Sequence, residues 1–142
     1  MIDEESVQVN IIWKGGKSSL ASIRDFKISI DNPEEKGGTN TGPTPTELLL
    51  SSLGGCIIIG LSYFADKLRI NLKHLSLKII GIKSEDENSR INQIDIFTYL
   101  EMEEIDQKKF ERWIELAEKY CTVGNTLKNV TKISIHVNTK DI

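Results

Sequence analysis

The sequence predicts an α+β fold in a single domain spanning residues 1–142. Strand-like stretches come in neighbouring pairs instead of alternating one by one with helices, which argues against a parallel, doubly wound sheet. A long apolar helical pattern follows the first pair and an amphipathic one follows the second, giving the order ββαββαβ.

Each element rests on a local signal. Residues 5–13 (ESVQVNIIW) carry the β-branched character of a strand, and KGGK at 14–17 reads as a turn. A second strand is predicted over Ser18 to Ile30, clearest where Phe26, Ile28 and Ile30 alternate with polar neighbours. Residues 31–45 (DNPEEKGGTNTGPTP) are a loop by composition, and a structureless run of 15 residues is long enough to hint at function. Its GGTNTG portion lacks the lysine of a phosphate-cradling loop.

Thr44 and Glu47 have the spacing of a capping box, and Pro45 falls at the first helical position. From Leu48 to Leu68 apolar residues lie on every side, the pattern of a helix wrapped in protein. HLSLKIIGI (74–82) and INQIDIFTYLEME (91–103) alternate as strands, and KSEDENSR joins them as an antiparallel hairpin. Asp106 is placed to cap a second helix, with Phe110, Trp113, Ile114, Ala117, Tyr120 and Cys121 on one buried stripe. Gly124 and Asn125 end that helix, and KISIHV (132–137) closes the fold as a strand.

Composition narrows the function. The chain is 39% apolar with a formal charge of −3, and no basic run exceeds two residues, so neither nucleic acid nor an acidic membrane is expected as a partner. The acidic start MIDEESVQVN has no apolar leader, and the longest apolar run, Cys56 to Ile59, is far too short to span a bilayer; a cytoplasmic location is expected. His74 and His136 are isolated in strands, and Trp13 and Trp113 read as packing residues. With no metal-ligand spacing and no acyl-transfer triad, no cofactor is expected.

The chemistry lies with two cysteines 65 positions apart, too few for a disulfide framework and without the CxxC of a zinc site. Cys56 sits in the apolar helix behind Gly54-Gly55, and Cys121 on the buried stripe of the second helix, so both thiols seek the same core. Tandem glycine costs a helix about 1 kcal/mol per residue relative to alanine, and implies a bend or a close backbone approach. A buried thiol ionises reluctantly, so a functional Cys56 requires a cation or strong donor nearby; Lys17, Arg24 and Arg69 are the candidates. Glu47 precedes Cys56 by nine positions, on the opposite face and ~13 Å away along a straight helix. It can act with Cys56 only if the glycines break the helix or if it comes from a second subunit; otherwise it completes the cap.

GPTPTELLLSSLGGC leading into an apolar helix, followed some 65 residues later by EKYCTVGNTLK, resembles the OsmC/Ohr family of osmotically induced and organic hydroperoxide resistance proteins. The resemblance extends over nearly the whole chain. It implies an intertwined homodimer with curved antiparallel sheets around two central helices, and thiol peroxidase chemistry in oxidative stress. By position, Cys56 matches the peroxidatic cysteine, oxidised to a sulfenic acid by an organic (fatty or alkyl) hydroperoxide, and Cys121 matches the resolving cysteine. A small dithiol or dithiol protein is implied as reductant. Glu47 matches a glutamate that orients the reactive thiol together with an arginine at the dimer interface. The chain departs from the pattern at that arginine: a gap-free reading places Lys17 there, and a shifted register offers Arg24. Lysine supplies charge without the planar fork that grips a carboxylate. Two other readings stay open: a non-catalytic dimer binding an apolar small molecule in the same pocket, and a thiol redox sensor.

Overall fold

The structure is a computed structural model that describes residues 5–141. Among the described residues, six strands and three helices follow the order βββαββααβ, in two compact units that meet in sequence between Leu49 and Leu50.

The N-terminal unit is an antiparallel meander of β1 (Asn10–Gly15), β2 (Ser18–Ile23) and β3 (Phe26–Ile30). The single strand predicted over Ser18–Ile30 is therefore two. The chain reverses at Arg24-Asp25, where Arg24 takes the left-handed φ of 53° that a tight hairpin turn requires. Neither residue is the glycine or asparagine that signals such a turn, which is why the sequence pattern ran through it. Trp13 also departs from expectation. It is 74% exposed, and its indole N–H fastens the first turn by donating to the Gly16 carbonyl at 3.0 Å.

The loop after β3 carries a short 3-10 turn, Glu34–Lys36, and is organised by buried Asp31. Its carboxylate accepts the Asn32 amide at 2.7 Å, the Thr39 hydroxyl and amide at 2.6 and 3.1 Å, and the Thr41 hydroxyl and amide at 2.9 and 3.2 Å. The glycines of GGTNTG serve this knot: a Cβ at Gly38 or Gly42 would run into the backbone of Asn32 or Ser29.

α1 (Pro45–Lys67) opens on the predicted cap. The Glu47 amide donates to Thr44 Oγ1 at 3.2 Å, and the Thr44 hydroxyl donates in turn to the Glu47 carboxylate at 3.0 Å. Mean hydropathy of 1.9 over 18 residues makes this helix long and apolar enough, by length and composition, to cross a membrane. The longest uninterrupted apolar run missed this, because scattered serines and glycines break the run without lowering the mean.

The C-terminal unit packs α1 against a sheet of order β4-β5-β6, made of β4 (Leu72–Lys83), β5 (Ile91–Met102) and β6 (Lys132–Asp141). Leu53, Ile57, Leu61 and Ala65 recur every four residues on α1, and Ile94, Ile96, Thr98, Leu100 and Met102 recur every two on β5; all are buried. The opposite side of α1 stays open in the single chain, with Ile59 71% exposed, so the helix is enclosed on one side only. β4 and β5 form the predicted antiparallel hairpin, but β6 runs parallel to β5, in contrast to the purely antiparallel sheets expected. A parallel neighbour needs a long crossover, and α2 (Gln107–Lys119) with α3 (Thr122–Leu127) supplies it. Asp106 caps α2 as predicted, accepting the Lys109 amide at 2.8 Å. Trp113, fully buried, donates its indole N–H to the Leu61 carbonyl at 2.9 Å, tying α2 to α1.

Hydrogen bonds from Thr39 foremost, then from Thr41 and Asn32, hold the Asp31 carboxyl well below the usual carboxylate range, against the opposing effect of burial. A carboxyl titrating below the ~3.9 of an unfolded aspartate stabilises the fold above that pH, and the contribution is lost as the pH falls. Urea midpoints of wild type and Asp31→Asn, followed from neutral pH to about pH 2, are expected to converge on acidification, wild type being the more stable at neutral pH. Parallel curves would contradict the knot.

Candidate thiol site

Cys56 lies one position before Ile57 on α1, about 100° around the helix from that buried residue, and is half-buried. The preceding glycines have separate surroundings. A Cβ on Gly54 would come within 2.7 Å of Ile79 Cδ1, so this glycine lets α1 settle on β4, whereas Gly55 faces open space beside Cys56. They do not break the helix, which runs from Pro45 to Lys67. Glu47 and Cys56 therefore remain nine positions apart on one continuous helix.

Cys121 is not on the stripe of α2. That helix ends at Lys119, and Cys121 takes an extended conformation to become the N-cap of α3, with Gly124 and Asn125 inside the new helix. The cap is the sulfur itself, accepting the Gly124 amide at 3.3 Å. Sequence rules look for Ser, Thr, Asp or Asn at such a position, so a cysteine cap goes unseen. Gly124 fits closely here, since a Cβ on it would stand 3.0 Å from the sulfur.

The two cysteines, remote in sequence, are free thiols close enough for Cys56 to act on the Cys121 thiol. Burial, foremost, and the neighbouring Cys56 push the Cys121 thiol up to about 11, opposed by the Gly124 amide. Cys121 thus holds its proton beside Cys56.

The other predicted residues each have their own local surroundings. Glu47 is in the first turn of α1, engaged with Thr44. Lys17 precedes β2 and is exposed. Arg24 is at the β2–β3 turn, its guanidinium 5.0 Å from the centre of its own neighbour's ring, Phe26. Arg69 follows α1 with a left-handed φ of 55° and is exposed.

Beside Cys121 opens a cavity of about 640 Å³, floored by Leu53 and Ile57 of α1 and Ile133 and Ile135 of β6. Its charged wall includes Glu118 and Lys128, and partial desolvation raises the Glu118 carboxyl although that side chain keeps contact with solvent. Sequence reading missed this wall because the polar face of α2 looked like an ordinary solvated surface. The alternation of Ile133 and Ile135 was the available signal.

The family model for OsmC-like proteins matches residues 38–136, taking in both cysteines and Glu47. The chain belongs to the OsmC-like family. Among solved structures, an OsmC-like protein from Mycoplasma pneumoniae superposes with a TM-score of 0.81 at 20% identity, covering 99% of each chain. A hypothetical protein from Aquifex aeolicus VF5 gives 0.82 at 24% identity, over 97% of this chain and 98% of its own. An organic hydroperoxide resistance protein from Elizabethkingia anophelis gives 0.72 at 13% identity, over 97% of this chain and 100% of its own. No curated protein matches the sequence. The OsmC-like chain thus has the α+β fold of proteins that include organic hydroperoxide resistance proteins.

With its thiol at about 11, Cys121 is almost wholly protonated at neutral pH. Mass-resolved iodoacetamide labelling of the reduced protein is expected to find Cys121 roughly 100-fold slower than an unhindered cysteine of pKa ~8.5. The rate should keep climbing about tenfold per pH unit toward the raised pKa; a plateau at the ordinary thiol value would contradict this placement.

Proposed function

We propose that this OsmC-like protein is a cytoplasmic thiol peroxidase for organic hydroperoxides, working as a homodimer. The observation that carries the reading is the neighbouring pair of free thiols Cys56 and Cys121, half-buried and buried, in a chain of this family. The organic hydroperoxide resistance protein among its structural neighbours supports the same assignment.

In the proposed cycle the Cys56 sulfur attacks the distal peroxide oxygen and the O–O bond breaks. Thiol and hydroperoxide become sulfenic acid and alcohol. Cys121 then attacks the oxidised sulfur, the hydroxyl leaves as water, and a disulfide forms. A dithiol restores both thiols by two exchanges. Apolar neighbours such as Leu53 and Ile57 favour an alkyl or fatty peroxide over hydrogen peroxide.

A second subunit has a role in this reading. The open face of α1, with Ile59 and Tyr63 exposed, and the exposed Ile11, Ile12 and Trp13 of β1 are apolar surfaces suited to burial against another copy. That copy would offer Glu47 and a cation, Lys17 or Arg24, to Cys56, as a continuous helix keeps its own Glu47 from doing so. Arg24 packed on Phe26 instead favours the alternative of a non-catalytic binder of apolar molecules; a Cys56 alkylated at pH 6 no faster than free cysteine would select it.

Rapid mixing with tert-butyl hydroperoxide is expected to yield tert-butanol and a Cys56–Cys121 disulfide. Cys56→Ser should abolish turnover, and Cys121→Ser should stall at a sulfenic acid trapped by dimedone. Thiols that persist in excess peroxide would end this reading. Sedimentation equilibrium is expected to show twice the 16.0 kDa chain mass, and Ile59→Lys to shift it toward the single chain.

A further inference from the structure

We infer that the dithiol that reduces the Cys56–Cys121 disulfide enters the cavity beside Cys121 and attacks the Cys121 sulfur. The inference rests on the peroxidase reading for the disulfide it acts on.

The placement of the two sulfurs carries it. Cys121 forms part of the wall of the 640 Å³ cavity, and Cys56 does not. The cavity is large enough for a small molecule, and its floor of Leu53, Ile57, Ile133 and Ile135 selects an apolar body.

A second observation points to an occupant. A chamber of about 20 Å³ adjoins the cavity, sharing Ile57, Glu118 and Ile135 with it, and Thr98 lines its wall. The Thr98 hydroxyl, 2% exposed in the central row of β5, has no hydrogen-bond partner among the described residues. Leaving a buried hydroxyl unpaired is costly, and the chamber has room for one water-sized group. A water or a single polar atom of a bound molecule satisfies it.

The chemistry also favours this sulfur. Thiol exchange is faster when the departing sulfur is the better-stabilised thiolate. Cys121 strongly prefers its proton, so expelling it is the harder exchange, and attack at Cys121 expels Cys56 instead. In that step the reductant's thiolate forms a bond to Cys121 as the Cys56–Cys121 bond breaks. Cys56 leaves as the thiolate and takes up the proton that the attacking thiol gave up. The second thiol of the reductant then displaces Cys121, which takes the second proton, and the oxidised reductant closes into a ring. Two electrons pass from dithiol to protein.

The test uses thiol exchange alone, so it reads independently of peroxide turnover. Full-length Cys56→Ser and Cys121→Ser are each loaded with thionitrobenzoate on the remaining cysteine, and its release is timed with 1,4-butanedithiol and with dithiothreitol, which differ only in two hydroxyls. The ratio of the two rates is expected to be roughly tenfold higher at Cys121 than at Cys56, the preference that about two buried methylene groups would give. Lys128→Trp, an exposed position at the cavity wall, should pull the Cys121 ratio down toward the Cys56 value. In wild type oxidised with diamide, limiting butanedithiol followed by acid quench and alkylation should find Cys56 as the first free thiol and the reductant on Cys121. Equal ratios at the two cysteines, or Cys121 freed first, would overturn the inference even if peroxidase activity is found; absence of peroxidase activity with the expected ratios would leave the cavity's preference standing and remove only the peroxidase reading.

Discussion

The site depends on the match between a four-residue period on α1 and a two-residue period on β5. Leu53, Ile57, Leu61 and Ala65 lie along the row made by Ile94, Ile96, Leu100 and Met102, and burial of these side chains is what fixes the helix on the sheet. Cys56, next to Ile57, is consequently held at the margin of the buried stripe. A cysteine in the stripe would be sealed off, and one on the far face would have no contact with Cys121. The Trp113 hydrogen bond to the Leu61 carbonyl then anchors α2, and with it the chain leading to Cys121, against the same stretch of helix.

The sulfurs have different surroundings because they are supported differently. Cys56 rides on a long regular helix, with Gly54 allowing close contact to β4 and Gly55 leaving space alongside. Cys121 is at a break between two helices, where its sulfur replaces the oxygen that usually caps a helix start. One thiol is thus near an opening, while the other is buried, hydrogen-bonded and reluctant to ionise.

What was legible in the sequence follows the strength of local signals. The cap at Thr44, the β4–β5 hairpin and the cap at Asp106 each had a recognisable residue at a recognisable spacing, and each forms. The reversal at Arg24 and the cap at Cys121 use residues that rarely do these tasks, so periodic patterns were read straight through them. The parallel placement of β6 had no local signature, because it is decided by where the crossover helices deliver the chain. Both cysteines were expected to seek one core; Cys56 packs against it from α1, and Cys121 enters it from a loop junction instead of the stripe of α2. The cation expected beside Cys56 belongs to no pattern within a single segment, and Lys17 and Arg24 both lie in the N-terminal hairpins.

The parallel strand β6 has a consequence for the history of each molecule. Ile133 and Ile135 form part of the cavity floor, while Leu53 and Ile57 were made some eighty positions earlier. The chamber is therefore assembled from the most distant parts of the unit, and its closure carries the entropic cost of non-local pairing. A ribosome that has finished α3 has produced both sulfurs but no enclosure around them. Until β6 docks, the cavity beside Cys121 lacks the Ile133 and Ile135 half of its floor.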